Sequence, residues 1–184
     1  MNAKWGALWL CVAFFSCALF DDDDSAYIIE ESSAEIAARA FAFAKAYEEA
    51  GAEYAWGAQD SLRAIKIDCS GLVVMSYRYA LEGTPFALLQ DDMSAAYMAQ
   101  SASAPKTLGE LRRGDLLFMG EAESSAVSHI ALFDCVKDGV IYFIDSTQKD
   151  EDGDGVYEIN GVSSRSYQAE DKRFKGFGVM KLRR

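Results

Sequence analysis

Asp68-Cys69-Ser70-Gly71-Leu72-Val73 is the stretch on which the fold turns. A turn-forming segment precedes it and an apolar, helix-periodic run follows (Leu72, Val73, Met75, Ser76, Tyr79, Ala80). A helix is therefore predicted from Cys69 to about Leu81, stopped by Gly83 and Pro85. The Cys69 sulfur then sits at a helix N-terminus, where the macrodipole favours a thiolate. A cysteine nucleophile also needs a base. The chain has one histidine, His129, so in a cysteine–histidine enzyme the base can be no other residue.

Upstream, Ser32 or Ser33 is a candidate N-cap, with Glu35 and Ile36 following, for an alanine-rich helix over residues 34–50 that Gly51 ends. Downstream, Asp91 or Asp92 can cap a third helix running through Gln100. The period then changes. Residues 116–119, 130–135, 140–144, 156–159 and 177–182 are short β-type runs split by glycine and charged turns. Helices first and a meander of strands after them read as an α+β domain with an antiparallel sheet. The basic C-terminal end (Lys172, Arg173, Lys175, Lys181, Arg183, Arg184) reads as a solvated edge strand. Asp150-Glu151-Asp152-Gly153-Asp154-Gly155 resembles the first half of a calcium loop, but the twelfth position counted from Asp150 is Gly161. An acidic turn between strands is the expectation there.

At 184 residues the chain has room for one ordinary domain, and with 51% hydrophobic residues it can build a core. A net charge of -11 argues against nucleic acid and against electrostatic docking on anionic lipid. The N-terminus reads as an export signal over residues 1–18. Lys4 precedes an apolar run from Trp5 to Leu19, Ser16-Cys17-Ala18 has signal-peptidase spacing, and four aspartates end the run. The run is short of the roughly 20 residues a bilayer span needs. Cleavage after Ala18 and lipidation at Cys17 both fit, and either places the domain outside the cytoplasm, in the periplasm or cell envelope. Residues 19–32 are then an acidic spacer and 33–184 the functional domain, with a monomer expected. Any membrane contact is confined to a lipid anchor. Cys69 and Cys135 are the cysteines left beyond the leader, too few for a disulfide scaffold. A bridge between them is conceivable, but Cys135 continues the apolar strand Ile130-Ala131-Leu132-Phe133 and reads as a buried, inert thiol.

Cysteine hydrolysis needs a thiolate, an imidazole and a group that orients the imidazole. His129 opens a strand after the loop 121–128, at a sheet end where it can face the Cys69 helix. Asp145 closes the apolar run Val140-Ile141-Tyr142-Phe143-Ile144 on a neighbouring strand and is the candidate third member. Singly, each residue has a plain structural reading; their order along the chain is what the chemistry demands.

Four segments now carry a resemblance: Gly51-Ala52-Glu53-Tyr54-Ala55-Trp56-Gly57, the nucleophile stretch 68–73, Arg112-Arg113-Gly114-Asp115-Leu116-Leu117-Phe118, and Ser128-His129-Ile130-Ala131-Leu132-Phe133. In this order the chain resembles the NlpC-type cysteine peptidases, papain-like endopeptidases of bacterial cell walls. The resemblance implies a papain-like α+β fold, with N-terminal helices packed on a central antiparallel β-sheet. It also implies Cys69 as nucleophile, His129 as base and Asp145 at a third position where the family commonly places another histidine. Tyr54, Asp68 and Ser70 match positions that line the pocket for the substrate's amine end, and the Cys69 N–H would help form an oxyanion hole; Trp56 of the aromatic segment is a further substrate-binding candidate. No metal or organic cofactor is implied. The spacing from Tyr54 to Cys69 is a few residues long, as if Ser61-Leu62-Arg63 were inserted, and no accessory wall-binding module is seen.

The reading is an exported hydrolase that cleaves peptidoglycan stem peptides through a Cys69 thioester, at the bond between D-glutamate and the diamino acid. Two rivals stay open. One is an amidase or acyltransferase of the same fold acting on a lipid or a non-wall peptide. The other is a catalytically silent wall-binding protein.

Overall fold

The computed structural model of the chain describes residues 27–61 and 65–184. The expected leader, and Leu62 and Arg63 of the expected insertion, lie outside the described residues. Among those described, no helix is long and apolar enough to cross a membrane. In chain order the elements are β1 (Ile29–Glu31), α1 (Ala34–Glu49), β2 (Glu53–Tyr54), β3 (Lys66–Ile67), α2 (Cys69–Ala80), β4 (Ala87–Leu88), α3 (Ala95–Gln100) and β5 (Ser103–Lys106). A 3-10 turn at Leu108–Glu110 follows, then β6 (Leu116–Met119), β7 (His129–Lys137), β8 (Val140–Lys149), β9 (Ile159–Gln168) and β10 (Phe174–Arg183).

Both long helices follow their sequence signals. Ser33 caps α1, its hydroxyl accepting from Ile36 N at 3.2 Å, and Gly51 leaves the helix at φ 68°. Ile36, Ala37, Ala40, Phe41, Ala44 and Tyr47 form its buried stripe. The small alanines let α1 lie close against α2, whose Leu72, Val73, Val74 and Tyr77 are fully buried. Burial of a side chain such as Leu72 stabilises the fold by about 2 kcal/mol.

The sheet runs β1-β10-β6-β7-β8-β9 with antiparallel neighbours throughout, and β4 and β5 also pair with β10. It is covered on both faces. Leu116, Phe118, Ile130, Leu132 and Ile144 join the helices in the main core. The alternate residues Leu117, Met119, Ala131, Phe133, Ile141 and Phe143 form a second cluster with Leu108, Leu111, Tyr167, Phe174 and Phe177. Two-sided cover explains why β6 is apolar at every position.

Several expectations change. The C-terminal strand is not an edge: β10 is paired on both sides, and Val179, Met180 and Leu182 are buried while the lysines and arginines between and beyond them reach out. The run expected at 156–159 becomes β9, which begins at Ile159 and extends to Gln168. Ser94, rather than Asp91 or Asp92, caps α3. Cys135 is exposed, not buried. A register shift between Phe133 and Cys135 breaks the alternation where the strand leaves the core, and both thiols are free.

Arg112-Arg113-Gly114-Asp115 is a joint between the layers. Gly114 has φ 90°, and a Cβ there would stand 1.8 Å from the Ala37 carbonyl oxygen of α1. Tyr77 of α2 donates its hydroxyl to Gly114 O at 3.0 Å, and the buried Asp115 accepts from Arg112 N at 2.8 Å. The turn thereby fixes β6, and the β7 strand beside it, against both helices.

Candidate active site

Asp68 is the N-cap of α2. Its Oδ1 accepts from Gly71 N at 2.6 Å and from the Ser70 hydroxyl at 3.0 Å, and its Oδ2 accepts from Gly57 N at 3.0 Å. The backbone N–H of Asp68 donates to Ala58 O at 2.9 Å. Gly71 permits this approach, since a Cβ would lie 2.4 Å from the same Ala58 oxygen. The nucleophile turn and the aromatic turn are thus one unit, joined through a carboxylate. From the sheet side, Ser146 of β8 donates to Ile67 O at 2.7 Å and pins the strand that enters Cys69. Cys69 takes the first helical position with 8% of its surface exposed.

His129 opens β7, opposite Met119 of β6. Its imidazole Nε2 lies 2.6 Å from Asp145 Oδ2, and Cys69 stands near enough to the ring to help raise its pKa. Asp145 is fully buried. It occupies the same sheet face as Phe143, whose cross-strand partner on β9 is Arg165. Arg165 reaches diagonally to clamp the carboxylate, Nε donating to Oδ1 at 2.8 Å and Nη2 to Oδ2. Its Nη1 donates to the Tyr167 hydroxyl at 2.8 Å, and its guanidinium lies 5.4 Å from the ring centroids of both Phe143 and Tyr167.

Burial works against a charged His129, but the hydrogen bond to Asp145, followed by that to Cys69 and the charges of both, outweighs it and raises the pKa to about 9. Burial works against a charged Asp145 as well; the hydrogen bonds to His129 and Arg165 prevail and hold the carboxyl below its usual range. At neutral pH this is an aspartate between two cations. The Cys69 sulfur lies between this imidazole and the N-terminus of α2.

A groove of about 410 Å³ opens beside Cys69, lined among others by Trp56, Gln59, Asp68, Ser70, Asp92 and Ser128. Trp56 stands 86% exposed on its wall. Burial first, then the nearby Cys69 and Asp68, raise the Tyr54 hydroxyl's pKa, which sets Tyr54 next to the nucleophile turn. The structure thus brings Cys69, His129 and Asp145 together and gathers Tyr54, Trp56, Asp68 and Ser70 around them, although three donors already engage the Asp68 carboxylate.

The NlpC/P60 family model matches residues 51–169. The chain belongs to the NlpC/P60 family. Membership points to a cell-wall peptidase or hydrolase kind of function and, within that, to cysteine peptidase or amidase chemistry. Among solved structures, this NlpC/P60 chain is similar to NlpC1 from Trichomonas vaginalis, with 19% identity and TM-score 0.50 over 84% of this chain and 46% of that one. A Staphylococcus aureus protein described as similar to lipoprotein, NLP/P60 family, aligns with 21% identity and TM-score 0.48 over 88% of this chain and 44% of that one. The chain therefore spans less than half the length of either, and the first likeness shows the papain-like fold. No curated protein matches the chain.

Two features were missed in the sequence. Arg165 lay beyond the strand expected at 156–159, and only the Ser163, Arg165, Tyr167 alternation of a longer β9 could have pointed to it. Glu158 comes round to Asp150, Asp152 and Asp154 at the β8–β9 turn, with ligand atoms all within 4.8 Å of one another. This exposed carboxylate set, of a type that could hold a hard cation, stands apart from the Cys69–His129 pair.

Proposed function

We propose that the chain is a cysteine amide hydrolase acting on peptidoglycan stem peptides, with Cys69 as nucleophile, His129 as acid and base, and Asp145 orienting the imidazole. The observation that carries this reading is the buried Asp145 carboxylate 2.6 Å from His129 Nε2, which leaves the other ring nitrogen to serve the sulfur. The thiolate attacks the amide carbonyl, and the Cys69 N–H, in a helical turn whose amides have no partner within the helix, stabilises the oxyanion. The C–N bond breaks as His129 passes its proton to the leaving amine, and a Cys69 thioester remains. Water, deprotonated by His129, then attacks the thioester and releases the acid and the thiol.

The groove beside Cys69 receives the acyl half. Its charged lining consists of Asp68 and Asp92, which suits a substrate with a free amine on that side, and the exposed Trp56 offers an apolar wall. These features, with family membership, favour the bond between D-glutamate and the diamino acid. Purified stem peptides incubated with the wild type and with Cys69→Ala, with products read by mass, test the reading. Products of that one cleavage from the wild type alone support it. Cleavage by both proteins, or by neither across a broad panel of stem peptides, overturns it.

A further inference from the structure

We propose that a second hollow, on the His129 side of the site, is a subsite for a carboxylate carried by the leaving group. The hollow is about 390 Å³, and its walls include His129, Lys149, Arg165, Tyr167 and Arg173, with Glu121 the one acidic side chain among them. Ser128 lines both this hollow and the Cys69 groove, so the two meet at the reacting pair. Their charged linings are opposite in sign. In a chain of net charge -11, a wall holding three permanent cations is a local reversal.

Each cation has a counter-ion yet keeps donors to offer. Arg165 clamps Asp145, Arg173 pairs with Asp171, and Lys149 pairs with Glu151. Arg173 uses Nε and Nη2 on Asp171, and among the described residues its Nη1 has no partner. Lys149 spends one of its three donors. The guanidinium of Arg173 lies 3.5 Å from the Tyr167 ring centroid, with Arg165 bonded to the Tyr167 hydroxyl. This stack holds the donors in place before a ligand arrives, which lowers the cost of ordering them on binding. A planar, bidentate acceptor such as a carboxylate matches a guanidinium fork.

Chemistry sets the direction. The acyl half bonds to sulfur and lies on the Cys69 side, while the leaving amine takes its proton from His129 and lies on the histidine side. The inference rests on the amide-hydrolase reading of that pair and adds to it: the amine-bearing half of the substrate occupies the acidic groove, and the residue released as the amine presents a free carboxylate to Arg173 and Lys149.

The test has two arms on the full chain. In the first, iodoacetate and iodoacetamide alkylate the protein, and peptide mapping follows Cys69 with the exposed Cys135 as reference. The expected iodoacetate-to-iodoacetamide rate ratio at Cys69 exceeds that at Cys135 by tenfold or more, and Arg173→Gln/Lys149→Gln pulls it down severalfold. In the second, two peptides differ only in a free carboxylate or a carboxamide on the leaving residue. The wild type prefers the carboxylate by tenfold or more in kcat/KM, mainly through KM, and the double variant loses that preference. Lys149→Gln alone, at a half-buried position, gives a partial loss in both arms should the double variant fold poorly. A ratio and a preference that survive the substitutions overturn the subsite. Loss of the alkylation ratio in a protein that cleaves neither peptide keeps the anion site and rejects the hydrolase reading. Equal cleavage of both peptides with an unaltered ratio does the reverse.

Discussion

Replacing Asp145 with asparagine keeps the size of the side chain and removes the charge that holds His129 protonated. The imidazole's pKa stands at about 9 against an ordinary 6.5, a difference worth about 3 kcal/mol in favour of the imidazolium. Burial alone pushes the other way. Without the carboxylate the pKa should therefore fall to roughly 6.5 or lower. At about pH 7.5 the protonated fraction then drops from near unity to about a tenth or less, so kcat/KM falls at least about tenfold from ionisation alone. Loss of the fixed imidazole orientation adds to this. The assay is kcat/KM against pH on a cleavable peptide, with the pH dependence of Cys69 alkylation alongside. The wild type should lose activity as pH rises through about 9, where the imidazolium gives up its proton. In the variant that alkaline limb should move down by about two and a half units or more. Asp145→Asn also strands Arg165, and breaking a buried pair costs about 3–5 kcal/mol. Thermal melts should therefore accompany the kinetics, and Arg165→Met in the same background should recover part of the lost stability. An alkaline limb unmoved in folded Asp145→Asn refutes the argument.

Stability should follow the same ionisation. The His129 pKa is raised on folding, so its contribution of up to about 3 kcal/mol is complete below about pH 6.5 and is lost as pH rises through about 9; urea midpoints across that range should fall, and His129→Gln should flatten the profile. Gly114→Ala should cost about 3 kcal/mol or more, because its Cβ would meet the Ala37 backbone at 1.8 Å on a left-handed residue; a melting temperature equal to wild type contradicts that packing. Asp68→Ala should cost about 1 kcal/mol through the lost cap and should also free the Gly57 turn, seen as faster amide exchange there, with Asp68→Asn milder on both measures.

How much of this was legible follows from what each residue answers to. The Cys69 helix, the Ser33 cap and the Leu116–Met119 strand are local consequences of period and capping, and they stand where the sequence places them. Strand β9 was cut short because its inward residues include Ser163 and Arg165 rather than an apolar stripe. Arg165 meets the Asp145 carboxylate on one face of the strand and Ser164 meets Glu48 on the other, its N donating to Glu48 Oε1 at 2.6 Å, so the partners of both lie on other elements. Strand β10 reads as an edge because Lys175, Lys181 and Arg183 interrupt it; its neighbours β1, β4 and β5 are three short strands, too brief to carry a period of their own. A bulge leaves no mark in an apolar run, so Cys135 reads as buried in the sequence and stands exposed in the fold. That Cys69, His129 and Asp145 lie together is an expectation that chain order and chemistry supply, whereas the Arg165 clamp and the polarity of the two hollows need the cross-strand register.

The most direct measurement is rapid-quench intact and peptide mass analysis of the full chain with a stem peptide. The account predicts a transient thioester on the peptide that contains Cys69, heavier by the acyl half of the substrate. This adduct should form no more slowly than product appears and should be absent from Cys69→Ala. Product released at full rate with no acyl adduct on Cys69 at any time, and equally by Cys69→Ala, would contradict it.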